Sequence, residues 1–72
     1  MIEAEILTVG DEVLRGAVTD TNAAWLARRM WQVGLPVGCA TTIGDARPHL
    51  DRALTAAMGR AEVLLVTGGL GP

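Results

Sequence analysis

Short apolar runs alternate with helical patterns along this chain. The runs over residues 4–9 and 62–67 are typical of buried strands, and the alternating segment over 37–43 indicates a third strand. Between the strands, apolar residues recur at 3.6-residue spacing over 23–33 and 50–58, which predicts two amphipathic helices. We therefore expect the order strand, helix, strand, helix, strand.

The ends of both helices are marked by residues that cap or break helices. Asp20 or Thr21 can cap the first helix, and Gly34 ends it. Asp45 can cap the second helix, and Gly59 ends it. The predicted apolar stripes consist of Ala23, Leu26, Ala27, Met30 and Val33 in the first helix and Leu50, Ala53, Leu54, Ala57 and Met58 in the second.

The alternation of strands and helices predicts an α/β fold. Right-handed crossovers would give a parallel sheet with helices outside it, the three-layer half of a doubly wound sheet. At least one outer strand would lack a neighbour. Trp25 lies opposite the apolar stripe of its helix and is expected in a contact with another chain, whereas Trp31 is expected in the core. We expect residues 1–72 to be the N-terminal part of one domain, truncated at a glycine-rich turn, and to form a homo-oligomer.

Composition and charge narrow the class of partner. With 50% hydrophobic and 19% charged residues, the chain has the composition of a core-forming protein. A net charge of −2 provides no electrostatic footprint for nucleic acid or an anionic membrane. The lone Cys39 excludes an internal disulfide and is expected to be a small buried residue. No signal peptide and no apolar stretch of ~18 residues is visible, so we expect a cytoplasmic protein.

Polar residues and glycines follow all three predicted strands. Ligands of parallel sheets bind beyond the carboxyl ends of the strands, and all three ends should meet at one edge. Glycine-rich turns expose backbone N–H groups that suit a phosphate. The expected ligand-binding residues at this edge are Gly10, Asp11, Glu12, Asn22, Thr67, Gly68, Gly69 and Gly71.

Carboxylates alone would repel a phosphate, but carboxylates beside an N–H cradle fit a divalent cation that bridges acid and phosphate. We expect Mg²⁺ as the cofactor, held by Asp45 and Asp11, with Asp45 as the catalytic residue. Each residue also has a structural interpretation. Asp45 can be a helix cap only, and Asp11 and Glu12 can be solvated loop charges. Asn22 can be a first-turn residue without a ligand, and the glycines can form a plain structural turn. Neither a Walker A motif nor a dinucleotide fingerprint occurs.

Several stretches together resemble a known family. Residues 4–16, residues 20–27, the Ile43-Gly44-Asp45 segment and residues 67–72 are similar to the opening of the CinA (competence-damage-inducible) proteins. These belong to the wider molybdopterin-binding domain family, with MoaB, MogA and MoeA. The resemblance covers nearly all 72 residues.

The resemblance implies an α/β domain of roughly twice this length. It implies a ligand of the ADP-ribose or molybdopterin type, with an acid at the position of Asp45 serving ligand and metal chemistry. It further implies ADP-ribose pyrophosphatase activity in the whole domain, or alternatively a non-catalytic pterin- or nucleotide-binding module. A second acidic segment of the family, which follows the glycine-rich turn, is absent from this sequence, so the 72-residue chain alone is expected to be inactive.

Overall fold

Three parallel strands form a single sheet in the computed structural model, which describes residues 3–68. The strands are β1 (Ala4–Val9), β2 (Val37–Ile43) and β3 (Val63–Gly68), and their spatial order is β2-β1-β3. The last residue of β1 is aligned with the last residues of β2 and β3. The prediction that all three carboxyl ends share one edge is therefore confirmed.

Within residues 3–68, three helices connect and flank these strands. The two predicted helices are present as α2 (Thr21–Gln32) and α3 (Arg47–Met58). The segment expected to be a loop over 10–20 contains the additional one-turn helix α1 (Asp11–Leu14). A helix of four residues carries too little apolar periodicity to be predicted from sequence. No helix among residues 3–68 is long and apolar enough to cross a membrane.

The two crossovers run in opposite directions across the sheet, because β2 and β3 lie on either side of β1. Crossovers of the usual right-handed sense place α2 and α3 on opposite faces. All six residues of β1 are buried, as expected for a central strand covered on both faces. The α/β fold with a parallel sheet between helices is thus confirmed.

The apolar core is concentrated on β1. Its buried members are Ala4, Ile6, Leu7, Val9 and, from α3, Ala57. The predicted apolar stripes of both helices are mostly half-buried. Their last members were predicted wrongly, since Val33 is 60% and Met58 71% exposed. Both lie at helix ends, beyond the reach of a three-stranded sheet. Cys39 is half-buried in β2 rather than fully buried.

The two tryptophans of α2 are both exposed. Trp25 is 55% exposed, in agreement with its place opposite the apolar stripe. Trp31 is 72% exposed, so its predicted core position is wrong. At ~100° per residue it lies about a quarter turn from the centre of the stripe, where no other element covers it. Both rings remain accessible for the self-association expected from the sequence.

The two predicted helix caps have different outcomes. Asp20 caps α2, since its Oδ1 accepts a hydrogen bond from the backbone N–H of Ala23 at 3.0 Å. The predicted Asp45 cap is wrong, because α3 begins one residue later and Ala46 occupies the cap position without a side-chain bond. A capping side chain accepts from the second or third helical N–H, and Pro48 in the first turn has no N–H to donate.

Two polar side chains are buried in the central strand, and each has a partner from outside the sheet. Thr8 Oγ1 donates to Asp20 Oδ2 at 2.6 Å. The carboxylate of Glu5, which is 5% exposed, accepts two bonds from Arg60, from Nε at 2.6 Å and from Nη2 at 3.0 Å. These bonds lower the pKa of Glu5, although burial opposes the shift, and they raise the pKa of Arg60.

The Glu5–Arg60 pair predicts how stability depends on pH. The folded pKa of Glu5 lies below its ordinary value of about 4.3. The ion pair therefore makes its full contribution to the free energy of unfolding above that pH. Its contribution is lost as pH falls through the folded pKa. Arg60→Ala removes the main cause of this lowering while burial still opposes ionisation, so the pKa of Glu5 should be higher in the variant. The free energy of urea unfolding should therefore differ most between wild type and Arg60→Ala at pH 7, and the gap should narrow below pH ~4.

Arg47→Ala is the matched control for this experiment, since Arg47 pairs with Asp51 on the surface at 82% and 62% side-chain exposure. This variant should remain close to wild type over the same pH range. If the difference in unfolding free energy between wild type and Arg60→Ala stayed constant with pH, the stabilising role of the Glu5–Arg60 pair would be contradicted.

Asp20 should be more important for stability than other carboxylates on the helices. Asp20→Ala removes the α2 cap, worth ~1 kcal/mol, and leaves the buried Thr8 hydroxyl without its acceptor, worth ~1 kcal/mol or more. Asp20→Asn keeps one acceptor oxygen, so its free energy of unfolding should fall by about half as much as that of Asp20→Ala. The exposed Asp51→Ala should change the unfolding free energy by no more than ~0.5 kcal/mol. Equal losses for Asp20→Ala and Asp51→Ala in urea titrations would refute this role.

Candidate functional site

A cleft of about 280 Å³ opens at the carboxyl edge of the sheet. It lies between the ends of β1 and β3, α1, the following loop and the first turn of α2. Hydroxyl, amide and carboxylate groups dominate its polar lining, which comprises Thr8, Glu12, Thr19, Asp20, Thr21, Asn22 and Thr67. The described residues thus form a polar cleft at the edge where ligands of parallel sheets bind.

Asp20 holds one wall of this cleft in place. One carboxylate oxygen caps α2 at Ala23, and the other accepts the hydroxyl of Thr8 at the end of β1. The first turn of α2 is thereby fixed against the strand end, and it brings Thr21 and Asn22 to the cleft. Both oxygens of Asp20 are used in this way, so its part in the cleft is structural.

The opposite wall depends on Gly68 at the end of β3. Its φ of +121° lies in the region that favours glycine. A Cβ at this position would collide with the carbonyl oxygen of Val9 on β1. The glycine therefore permits the close approach of the two strand ends beside Thr67, which lines the cleft next to Thr8, its partner in the strand register.

Asp11 and Asp45 meet beside the cleft, towards β2. Asp11 Oδ1 accepts a hydrogen bond from the backbone N–H of Asp45 at 2.9 Å. The same oxygen lies close to Gly44, where a Cβ would come within 2.6 Å of it. Asp11 therefore fixes the turn that presents Asp45, and neither residue lines the cleft.

The residues predicted for the site separate into four sets. Glu12, Asn22, Thr67 and Gly68 line the cleft, and the Asp11–Asp45 contact lies beside it. The backbone N–H of Gly10 donates to Ile43 O at 2.9 Å, so this group belongs to the sheet and is not free for a ligand. Gly69 and Gly71 lie outside the described residues.

Sequence reasoning missed Thr8, Thr19 and Thr21, and it treated Asp20 only as a cap. Thr8 and Thr67 each come one residue before the end of their strand, and the register aligns them. A threonine at the same position in two neighbouring parallel strands was the available signal. Thr19 and Thr21 flank the capping aspartate, and nothing in the apolar pattern marks them.

The residues beside the cleft suit a cation that is also bound by a ligand phosphate. Among residues 3–68, no three His, Cys, Asp or Glu side chains come together as a metal-binding group. The two acidic residues Asp11 and Asp45 are in contact through the Asp11 carboxylate and the Asp45 backbone N–H. Mg²⁺ commonly uses one or two protein carboxylates and completes its shell with water and phosphate oxygens. The pair fits this binding mode and does not form a complete protein cage.

Comparison with known proteins agrees with this architecture. Residues 5–72 match the family described as a probable molybdopterin binding domain. A CinA-like protein of Anaeromyxobacter sp. (strain Fw109-5) is 46% identical over 71 residues, which cover 99% of this chain and 17% of that protein. A CinA-like protein of Escherichia coli (strain K12 / DH10B) is 47% identical over 72 residues, which cover 100% of this chain and 18% of that protein.

A crystal structure of CinA from Thermoplasma acidophilum, a protein described as of unknown function, superposes with a TM-score of 0.90. The identity is 30%, and the alignment covers 97% of this chain and 41% of that one. The chain thus spans less than a fifth of the length of the CinA-like proteins above. With a family match over residues 5–72, a CinA fold and CinA-like relatives, the chain belongs to the molybdopterin-binding domain family.

Proposed function

We propose that this chain is part of a CinA-type domain that binds a phosphate-containing pterin or nucleotide at the strand-end cleft. One observation supports this above all: the polar cleft lies at the carboxyl edge of a parallel sheet, between β1, β3 and the first turn of α2. Anionic groups are favoured near helix N-termini and glycine-rich turns. Gly68 lines the cleft and is the first residue of a glycine-rich segment of the sequence.

The arrangement of the described residues favours binding over turnover by this chain. Glu12 and Asn22 line the cleft, whereas Asp11 and Asp45 lie beside it and Asp11 already accepts a backbone bond. Binding needs only the cleft and backbone donors. Hydrolysis needs in addition an activated water and acids that face the scissile linkage. The expected homo-oligomer and the cytoplasmic location remain part of this proposal.

A second candidate function is metal-dependent hydrolysis of ADP-ribose, and the Asp11–Asp45 contact favours it. Asp45 and the free oxygen of Asp11 would hold Mg²⁺ at the side of the cleft. The bound cation would supply Lewis-acid stabilisation of charge on a phosphoryl oxygen. Asp11 would keep the Asp45 turn in place through its bond to the Asp45 N–H.

Direct binding tests the first function. Calorimetry on the 72-residue chain with molybdopterin, AMP and ADP-ribose should show binding of at least one ligand. Asn22→Ala, which removes a polar group of the cleft, should weaken that binding about tenfold, because one lost hydrogen bond is worth ~1.4 kcal/mol. Gln32→Ala, at the far end of α2, is the matched control and should bind as wild type. Failure of all three ligands to bind would refute the proposal.

Turnover tests the second function. AMP release from ADP-ribose should require a divalent metal and a chain extended past Pro72. In that chain, Asp45→Asn should abolish release, because an amide cannot supply an anionic ligand. The free energy of unfolding should change by no more than ~0.5 kcal/mol, since Asp45 is exposed and makes no cap bond. Asp51→Asn on α3 should retain full activity. Unchanged turnover in Asp45→Asn would remove this residue from the reaction.

A further inference from the structure

Among residues 3–68, the side chains that line the cleft provide carboxylate, hydroxyl and amide groups and no cation. The chain has six arginines and no lysine. None of the arginines lines the cleft, and four of them bond elsewhere: Arg29 to Gln32, Arg47 to Asp51, Arg52 to His49 and Arg60 to Glu5. Any anion inside the cleft would therefore have no side-chain counter-charge.

Glu12 is the carboxylate in the cleft that is available to a ligand. Asp20 also lines the cleft, but both of its oxygens are bonded, to Thr8 and to Ala23. The Glu12 side chain makes no hydrogen bond within the described residues, and its Oε1 lies over Gly10, where a Cβ would come within 2.8 Å of it. An ionised carboxylate accepts hydrogen bonds and donates none.

The size of the cleft limits how much of a ligand it can hold. At about 280 Å³ it is just below the range of ~300–1,000 Å³ that holds drug-sized ligands. It therefore suits one moiety of a pterin phosphate or a dinucleotide, and the rest of the ligand must lie outside. The lining decides which moiety enters.

We infer that the cleft receives the uncharged, hydrogen-bond-donating end of the ligand, with Glu12 as its acceptor, and that the phosphate lies outside. This inference rests on the proposed function and specifies how that ligand is oriented. Two adjacent donors match the two oxygens of a carboxylate. The 2-amino and ring N–H groups of a pterin have this arrangement, and so do the vicinal hydroxyls of a ribose. The threonines and Asn22 complete the neutral polar surface around it.

Phosphate-free probes test the inference on the 72-residue chain. Calorimetry or NMR titration with the two phosphate-free probes, 6-methylpterin and adenosine, should show binding of at least one of them. Inorganic pyrophosphate is titrated in parallel as a ligand that carries only the phosphate groups. Glu12→Gln should weaken that binding about tenfold or more, because the charge-assisted acceptor is replaced by an amide. The same substitution should leave pyrophosphate binding unchanged or make it tighter. 2′-Deoxyadenosine identifies the source of the donors, since it should bind more weakly than adenosine only where the ribose hydroxyls are recognised.

Glu62→Gln is the matched control, because Glu62 is exposed next to the first residue of β3, at the opposite end of the strand. Thermal unfolding should show both variants folded as wild type. The inference is overturned if neither phosphate-free probe binds. It is also overturned if Glu12→Gln weakens the binding of pyrophosphate and leaves the binding of the phosphate-free probes unchanged. Both results remain distinct from failure of the proposed function, which would show as no binding of molybdopterin, AMP or ADP-ribose.

Discussion

The burial of β1 on both faces and both edges is the constraint on which the rest of the structure depends. Every residue from Ala4 to Val9 is buried, while β2 and β3 are only partly covered. A strand in this position cannot expose any polar side chain to water, yet β1 carries Glu5 and Thr8. Each therefore needs a partner from outside the sheet, since an unpaired buried polar group is costly. Arg60 and Asp20 meet this need.

These two contacts also organise the molecule along the strand direction. Glu5 lies near the start of β1 and pairs with Arg60, which follows α3, so the end of α3 is tied to the base of the sheet. Thr8 lies near the end of β1 and pairs with Asp20, which begins α2. The Glu5–Arg60 contact lies at the end of the sheet away from the cleft. The Thr8–Asp20 contact fixes the N-terminus of α2 at the cleft, so one carboxylate both stabilises the fold and shapes the cleft wall.

Much of the fold could be predicted from sequence because its signals are local. The strand runs, the stripes of α2 and α3, the Asp20 cap and the convergence of strand ends all follow from periodicity and topology. One error arose where tertiary contacts decide: Trp31 is exposed because a three-stranded sheet covers only the centre of the helix stripe. Another arose from local chemistry: Asp45 does not cap α3 because the helix begins one residue later than predicted, with Pro48 in its first turn. For the site, Glu12, Asn22, Thr67 and Gly68 were predicted, but the threonines around them carry no periodic signal.

The Glu5–Arg60 contact has a consequence for the order in which the chain can fold. It joins residues 55 positions apart, and the parallel pairing of β1 with β3 spans a similar distance. An intermediate that contains only β1, α2 and β2 would hold the Glu5 carboxylate in the sheet before its partner had arrived. Such an intermediate is disfavoured, so β1 can complete its burial only as α3 and β3 dock. The burial of β1 should therefore be a late and cooperative step of folding. Its rate should be slow, because it requires contacts between residues that are far apart in the sequence.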